Sequence, residues 1–322
     1  MSGTALLDEV VARVRAHPGL RGKAAIGLVA EELGATDWLA GPGDDGAVVS
    51  DGGRSLVVGG EALLPSFVEA DPFGAGLSAV LTNVNDLSAM GAWPLAIVDT
   101  VVAPEPLARR VLAGLRRGAE LYRVPVVGGH LTVRDGPAAV SAFGLGRAAR
   151  VLSVRGAAAG QVLLLACCLD GSMRPDFPFF SSVDRRGELV AEDVRLLPRL
   201  AESGACVAAK DVSMAGVLGS LAMLLEAGGL GATVDLGALP CPPGLPLPQW
   251  AVAFPAFAFL LCAPPGAVEA CRRPFLQRGL ACEPVAVLDR SGELRLRLGE
   301  ELALLLDLNR ERVTGLPRPT GQ

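Results

Sequence analysis

The chain is poor in aromatic residues and in lysine. Aromatic side chains make up 4% of its 322 residues, so a folded core has to be built mainly from alanine, leucine and valine. Lysine occurs only at Lys23 and Lys210 among 29 basic residues, a bias that we attribute to codon usage and not to function. The net charge is −5 and there is no basic tract, which argues against nucleic acid as a partner.

Long apolar runs are missing as well. The first 14 residues carry Asp8, Glu9 and Arg13, where an export signal needs an unbroken apolar stretch. The most apolar run, 250–264, is 15 residues long and contains Pro255. A membrane-spanning helix needs about 20 apolar residues. The sequence therefore predicts a soluble, cytoplasmic protein without a membrane partner.

Histidine and paired cysteines are scarce. The two histidines are His17 and His130, and none of the seven cysteines forms a CxxC motif. An odd number of cysteines in apolar surroundings indicates buried free thiols. With so few histidines, the chain has almost nothing from which to build a zinc site.

Several catalytic signatures are also absent. The sequence has no GxxxxGK[ST] phosphate-binding loop, no GxSxG elbow and no HExxH helix. A GxGxxA pattern does occur at 144–149, but the residues after it favour a short strand and not the opening of a helix. Dinucleotide binding is therefore not the favoured interpretation.

Length and composition favour a folded chain of two domains. A single hydrophobic core stops growing at roughly 250–300 residues, and this chain is longer. Hydrophobic residues make up 51% and charged residues 20%, which excludes a disordered chain. Strand and helix patterns mix without strict alternation, so the predicted class is α+β, mixed α/β. The composition around 147–160 indicates a boundary, giving domains at 1–149 and 150–322.

Two adjacent carboxylates form the sharpest local feature. Asp44 and Asp45 lie between Gly43 and Gly46, and their mutual repulsion has to be offset. Water does this in a solvated turn, whereas a divalent cation does it at a binding site. Glycine on either side also lets a phosphate approach the backbone. Both interpretations remain open on this evidence alone.

Two further acids and one glycine-rich turn are candidates for a binding site. Asp86 lies beside Asn83 and Asn85 on a predicted helix over 72–92 that is otherwise lined by apolar residues, and it belongs either to a binding site or to an ordinary polar helix face. Asp211 follows Lys210 just before another predicted helix, where a carboxylate either caps the helix or binds a ligand. The motif at 128–130, Gly-Gly-His, is typical of a strand-to-loop turn whose amides contact an anion, or of a plain tight turn.

Taken in order, five segments resemble the AIR synthase superfamily, which includes thiamine-monophosphate kinase, selenophosphate synthetase and a hydrogenase-maturation dehydratase. The segments are GDDGAVV (43–49), NVNDLSAMGAWPLAIVD (83–99), VVGGH (126–130), AFGLGRA (142–148) and DVSMAGVLGSLAMLLEAGGLGATVDL (211–236). The resemblance spans about residues 25–300 and is greatest to the AIR synthase-related proteins.

The resemblance implies a PurM-like fold of two α/β domains, with a homodimer whose N-terminal domains form a shared barrel. It implies that ATP and Mg²⁺ are bound, with metal ligands at Asp44, Asp45, Asp86 and Asp211. Glu61 stands where relatives carry aspartate, and its longer side chain is a further expected ligand. The residues expected to contact nucleotide or substrate are Gly43, Asn83, Asn85, Gly128, Gly129 and His130. Lys210 either neutralises charge in the transition state or pairs with its neighbour.

This chain departs from the family pattern at Met214, where the DVSDG-type motif carries a second acid. The leading hypothesis is a Mg²⁺-dependent ATP-using enzyme that phosphorylates or activates a small polar metabolite. The alternative, motivated by Met214, is a nucleotide-binding regulatory or scaffold protein without turnover. The Pro- and Phe-containing segment 171–187 gives no firm indication of the substrate.

Overall fold

The computed structural model describes residues 3–34, 40–175 and 177–317. In these ranges the α-helices are α1 (Gly3–Ala16), α2 (Pro18–Gly22), α3 (Gly27–Leu33), α4 (Pro65–Ala70), α5 (Pro72–Ala89), α6 (Glu105–Tyr122), α7 (Val183–Arg186), α8 (Val190–Val194), α9 (Leu196–Ser203), α10 (Gly216–Gly228), α11 (Leu247–Trp250) and α12 (Val268–Leu276). Short 3₁₀ helices lie at Lys23–Ile26, Val154–Gly156, Gly187–Leu189 and Pro265–Ala267.

The strands fall into three sheets. In chain order they are β1 (Ala47–Asp51), β2 (Arg54–Ala62), β3 (Trp93–Ala103), β4 (Val126–Val133), β5 (Ala139–Ala148), β6 (Val162–Cys167), β7 (Ser172–Met173), β8 (Phe179–Ser181), β9 (Ala208–Asp211), β10 (Gly231–Asp235), β11 (Phe254–Pro255), β12 (Ala258–Ala263), β13 (Ala281–Asp289), β14 (Glu293–Leu298) and β15 (Glu301–Asp307). The sheet orders are β1-β2-β5-β3-β4, β15-β14-β10-β13-β6-β12-β9 and β11-β8-β7.

The chain packs as two compact units that are not contiguous in sequence. The first unit comprises 1–44, 152–185 and 200–322, and the second comprises 45–151 and 186–199. Contacts between elements thus group the first 44 residues with the later part of the chain. The predicted domains, 1–149 and 150–322, are each continuous, and their division stays a prediction.

The second unit is a five-stranded sheet with helices on one face. α5 packs against β2 and β5, and α6 packs against α5. The strands alternate because one face is covered: along β5, Val140, Ala142 and Gly144 are buried whereas Phe143 and Leu145 are exposed. We call the side that faces α5 the inner face and the other side the outer face.

Two glycines let α5 and α6 approach closely. A Cβ atom added at Gly76 of α5 would lie 2.9 Å from the Leu115 nitrogen of α6. A Cβ atom added at Gly114 of α6 would lie 2.9 Å from the Leu77 nitrogen of α5. The contact is therefore reciprocal, and the backbones meet where neither helix carries a side chain. It fixes the position of α5, the helix that carries Asp86.

The first unit contains the seven-stranded sheet and a large group of buried apolar residues. Three leucine and valine side chains of α1, at Leu7, Val10 and Val14, join a core formed with α10 and the sheet. All six residues of β12 and most of β6 are buried, as the apolar run in the sequence predicts for central strands. Among the described residues, no helix is both long and apolar enough to cross a membrane.

Several elements differ from the sequence-based predictions. The apolar spacing of residues 24–34 predicts one helix, but the structure has a 3₁₀ turn followed by α3. A helix is likewise predicted near 192–202, where the structure has two helices, α8 and α9, that meet at Arg195. The turn predicted at 128–130 is wrong, because these residues lie inside β4. β4 lies at the edge of its sheet and pairs with β3. A strand in this position tolerates its two glycines. The predicted burial of cysteine is confirmed for six of the seven, and burial raises the pKa of Cys262 to about 12.

Candidate metal and nucleotide site

The carboxylates of two acids in the second unit, Asp45 and Asp86, lie close together. Asp45 and Asp86 each offer a carboxylate oxygen, and these oxygens lie within 4.8 Å of one another. Asp45 precedes β1, and Asp86 lies in the last turn of α5, where its side chain is 7% exposed. Two carboxylates at this spacing repel each other unless a proton or a cation lies between them. Hard oxygen ligands of this kind suit Mg²⁺.

The polar face of α5 is turned towards protein and not towards solvent. Asn83, Asn85, Asp86 and Ser88 are all buried. The sequence left open whether Asp86 belonged to an ordinary solvated helix face, and its burial excludes that interpretation. A carboxylate taken out of water needs compensating interactions, which makes this helix end the strongest candidate for a binding function.

Asn83 is held in one orientation by backbone carbonyl groups. Its side-chain nitrogen donates to Ala79 O at 2.8 Å and to Ala142 O of β5 at 3.2 Å. Its Oδ1 atom is buried and has no hydrogen-bond partner among the residues that the structure describes. A buried amide oxygen without a donor costs free energy, so a further polar group at this position would be stabilised.

Two paired glycines of the sheet lie beneath the side chains of Asn83 and Asp86. Gly59 of β2 lies opposite Gly144 of β5 in the sheet register. A Cβ atom at Gly59 would lie 3.9 Å from the Cβ of Asp86, and one at Gly144 would lie 3.2 Å from Asn83 Oδ1. Bare backbone at both positions therefore lets α5 bring its polar residues close to the sheet.

Asp44 and Asp45 have different surroundings although they are adjacent. In the first unit, the Ser153 hydroxyl donates to Asp44 Oδ2 at 2.5 Å, and the Val154 amide donates to Asp44 Oδ1 at 3.4 Å. Ser153 is itself the N-cap of the 3₁₀ turn Val154–Gly156. The Asp44 carboxylate thus ties the glycine-rich turn to this cap, a contact over 109 residues for which the sequence has no local signal.

Glu61 lies on the same face of β2 as Gly59, two residues further along the strand. Its side chain is exposed and points to the side of the sheet that α5 covers. Glu61 therefore lies on the same side of the sheet as Asp86, and its role as a further ligand stays a prediction.

Lys210 and Asp211 form an ion pair at the end of β9 in the first unit. The Lys210 ammonium lies 3.2 Å from Asp211 Oδ1, and both side chains are buried. Lys210 therefore does pair with its neighbour, one of the two alternatives that the sequence left open. The N-cap position of α10 is Ala215, four residues beyond Asp211.

The Gly-Gly-His motif does not lie beside the Asp45–Asp86 pair. In the register of β3 with β4, Asp99 pairs with Gly129 and Thr100 pairs with His130. Asp99 is buried on the inner face, so Thr100 and His130 belong to the outer face. The His130 Nε2 atom is 3.2 Å from Thr132 Oγ1 and the ring is exposed. The structure thus separates His130 from the carboxylates by the thickness of the sheet.

Asp99 is an acid of the inner face that is not among the site residues predicted from the sequence. Burial raises the pKa of its carboxyl group above the ordinary value of 3.8, against the opposing effect of a backbone hydrogen bond. A Cβ atom at Gly129 would lie 2.5 Å from Asp99 Oδ1, so glycine is required opposite it. One acid in an apolar strand gives no pattern by itself, which is why the sequence does not reveal it.

The fold and the acidic site together define a two-unit protein of mixed α and β structure with paired carboxylates at a helix end. The chain belongs to the AIR synthase-related protein family. It matches the family's N-terminal domain over residues 43–148 and its C-terminal domain over residues 169–299.

Among its relatives is the "Uncharacterized protein sll0787" of Synechocystis sp. That protein is 37% identical over 276 residues, an alignment that covers 85% of this chain and 86% of the relative. The alignment includes most of both proteins, so the family relationship extends over both matched domains.

Solved structures share the fold. Thermotoga maritima PurL complexed with ADP aligns with a TM-score of 0.73 at 18% identity, over 86% of this chain and 47% of PurL. This chain thus spans about half the length of that structure. The thiamine monophosphate kinase AaThiL, complexed with AMPPCP and TMP, aligns with a TM-score of 0.63 at 19% identity, over 85% of this chain and 93% of AaThiL. At these identities the likeness establishes the PurM-like fold.

Proposed function

We propose that this protein is a Mg²⁺-dependent, ATP-using enzyme that phosphorylates or activates a small polar metabolite. The observation that carries the proposal is the pair of carboxylate oxygens of Asp45 and Asp86, within 4.8 Å of each other. Two carboxylates this close together can share one divalent cation, and a triphosphate supplies the remaining oxygen ligands that Mg²⁺ prefers.

The residues fit such an ion in kind as well as in spacing. Mg²⁺ keeps near-octahedral oxygen coordination and is commonly held by one or two carboxylates together with phosphate oxygens. When bound, it neutralises charge on the phosphates and so assists phosphoryl transfer. In this proposal Asp45 and Asp86 hold the ion, and Asp44, Asp211 and Glu61 are further ligands. The Asp44 carboxylate accepts hydrogen bonds that also orient the turn.

The nucleotide and substrate would be bound by neutral groups. Gly43 provides backbone without a side chain next to the acids, and Asn83 provides a buried amide oxygen. Asn85, Gly128, Gly129 and His130 remain proposed contacts on the resemblance alone. Lys210 would act through Asp211, whose charge its ammonium group stabilises at 3.2 Å.

Related proteins support the use of ATP. The PurL structure is complexed with ADP, and the AaThiL structure is complexed with AMPPCP, an ATP analogue, and TMP. The proposed chemistry is therefore transfer of a phosphoryl group to a hydroxyl or phosphate, or activation of an amide oxygen as an iminophosphate. In both cases the protein's contribution is to position the reacting groups and to stabilise negative charge.

We also propose that the protein is a homodimer built through the five-stranded sheet. The outer face carries Val58, Val98, Phe143 and Leu145 on three adjacent strands, and these side chains are between 37% and 45% exposed. A contiguous apolar patch on a sheet face is typical of a protein interface. The resemblance implies a barrel shared by two chains at this sheet, which would cover the patch.

The second candidate is a nucleotide-binding regulatory or scaffold protein without turnover. Met214 favours it, since the family motif has an acid at this position. Purified protein with ATP, Mg²⁺ and a panel of small phosphorylated and amide-containing metabolites would release ADP if it is an enzyme. Tight nucleotide binding without ADP release over the whole panel would favour the scaffold.

Calorimetric titration with AMPPCP and Mg²⁺ tests the proposal of nucleotide binding itself. We expect binding that depends on Mg²⁺ and is lost in Asp86→Asn. An absence of binding to the wild-type protein would contradict both candidates.

A further inference from the structure

A segment near the end of the described chain is anchored by one buried acid. We call the residues Glu311–Leu316 the strap. Glu226 of α10 accepts hydrogen bonds from the Val313 amide at 2.8 Å, the Thr314 amide at 2.9 Å and the Thr314 hydroxyl at 2.6 Å. Glu226, Val313 and Thr314 are all buried. A carboxylate that accepts three hydrogen bonds in the interior makes a strong and directional anchor.

The strap is also held at its two ends. At its start, both side-chain oxygens of Glu311 receive hydrogen bonds from Arg15 of α1, at 3.1 and 2.9 Å. Near its other end, Gly315 has φ +69°, and a Cβ atom there would lie 2.5 Å from the Ala24 carbonyl oxygen. A side chain at this position would therefore be strained and would clash with backbone. These contacts lie within the first unit.

The strap reaches the glycine-rich turn that carries the adjacent carboxylates. A Cβ atom at Gly43 would lie only 2.8 Å from Leu316 Cδ1, so the leucine side chain packs directly on this glycine. Gly43 has φ +93°, a conformation that favours glycine. On the next residue, Asp44 accepts the hydrogen bonds of Ser153 and Val154. Leu316 and Ser153 thus fix consecutive residues of one turn.

Hydrogen bonds within the strap connect Thr314, which Glu226 anchors, to Leu316. The Leu316 amide donates to the Thr314 hydroxyl at 3.3 Å, and the Arg312 guanidinium donates to the Leu316 carbonyl at 3.0 Å. The same Thr314 hydroxyl donates to Glu226. A continuous path of hydrogen bonds therefore runs from Glu226 through Thr314 to Leu316, and from there by packing to Gly43.

We propose that Glu226 is a positioning residue, which acts through the strap to hold the Gly43–Asp44 turn and thereby the backbone of Asp45, the next residue. The consequence for ligand binding rests on the proposed function of Asp45. The order of the turn itself is a property of the first unit and does not depend on that function.

Hydrogen exchange measured by mass spectrometry on the full chain tests the proposal, with peptides covering 41–46 and 312–317. Glu226→Gln keeps the shape of the side chain but replaces an acceptor oxygen with a donor NH₂ group. We expect exchange in both peptides to rise about tenfold or more, as the loss of a hydrogen bond to a charged group predicts. Glu283→Gln, which removes an ion pair with Arg272 in the same unit, is the matched control and should change neither peptide.

Three further variants separate the steps. Leu316→Ala removes the side chain that packs on Gly43 and keeps the hydrogen bonds to Glu226, and we expect faster exchange in 41–46 with little change at 313–314. Thr314→Val should resemble Glu226→Gln, and Thr314→Ser should restore the wild-type pattern because it keeps the hydroxyl. If Glu226→Gln does not fold, Leu316→Ala still measures the contact between strap and turn.

A parallel titration with AMPPCP and Mg²⁺ links the turn to ligand binding. We expect Glu226→Gln and Leu316→Ala to bind the nucleotide about fivefold more weakly than the wild-type protein, at unchanged stoichiometry. If wild-type protein binds no nucleotide, the proposed function fails, and the exchange measurements still decide whether the strap orders the turn. Unchanged exchange in 41–46 after the strap has been released, or in Leu316→Ala, would overturn the inference.

Discussion

The Ser153 hydroxyl donates a 2.5 Å hydrogen bond to the carboxylate of Asp44, while Asp45, the next residue, offers its carboxylate to a pair with Asp86. Ser153→Ala should lower the free energy of unfolding by about 1–2 kcal/mol, since it removes an N-cap and one partner of a charged hydrogen bond. Urea denaturation measures this loss. Ser153→Thr keeps the hydroxyl and should lose much less, so equal losses in the two variants would contradict a role for the hydroxyl group.

The reciprocal glycine contact predicts the effect of adding a single methyl group. Gly76→Ala or Gly114→Ala should each destabilise the protein by about 1–3 kcal/mol, because the added Cβ meets backbone of the other helix, which cannot move aside. Gly22→Ala is the control: a Cβ there has nothing within 4 Å, and alanine should slightly stabilise the helix. If Gly76→Ala were as stable as Gly22→Ala, the close approach of α5 and α6 would be wrong.

The pH dependence of stability should include a contribution from Asp99. Burial raises the pKa of this carboxyl group above 3.8, so the neutral form is favoured in the folded protein. The favourable contribution is complete below the ordinary pKa and is lost as pH rises through the folded pKa. Asp99→Asn stays neutral, and its stability relative to wild type should increase from pH 4 to pH 7.

Urea denaturation at several pH values between 4 and 7 measures that difference. Asp135→Asn, at an exposed position, provides the control and should run parallel to wild type. A stability difference for Asp99→Asn that stays constant across the pH range would show that the carboxyl group titrates as it does in the unfolded chain.

The outer face of the five-stranded sheet predicts the oligomeric state. Phe143→Glu places a charge within the apolar patch, and the proposed dimer should dissociate to a monomer in sedimentation velocity runs. Val287→Glu changes an exposed apolar residue of the seven-stranded sheet and should leave the dimer intact. A wild-type monomer, or a Phe143→Glu dimer of unchanged affinity, would contradict the proposed interface.

Local patterns in the sequence located most elements that position the site. The helix predicted over 72–92 is α5 at Pro72–Ala89, and the strand patterns that flank the turn at Asp51–Gly53 correspond to β1 and β2. Both follow from periodicity and turn residues, which depend on neighbours in the chain. The hairpin of β14 and β15 was not predicted, although the alternation of leucine and charged residues in Glu293–Leu298 is a strand signal.

The side-chain interactions that position the site residues join residues far apart in sequence. Asp44 and Ser153 are separated by 109 positions, and Glu226 and Thr314 by 88. No local pattern records which distant partner a carboxylate will meet. The face of the sheet on which a residue lies also depends on pairing between strands that are distant in sequence. For this reason the sequence-based prediction groups His130 with residues that lie on the opposite face.

Calorimetric titration of Mg²⁺ and AMPPCP into wild-type protein and Asp86→Asn, with thermal unfolding of both proteins under the same conditions, tests the proposed metal site. We expect Mg²⁺-dependent binding to wild-type protein, a rise in its unfolding temperature with ligand, and a loss of affinity of at least tenfold in Asp86→Asn, equivalent to about 1.4 kcal/mol. Asp135→Asn should bind as wild type does. Equal affinity of wild type and Asp86→Asn, or binding that does not need Mg²⁺, would contradict the assignment of Asp45 and Asp86 as the metal site.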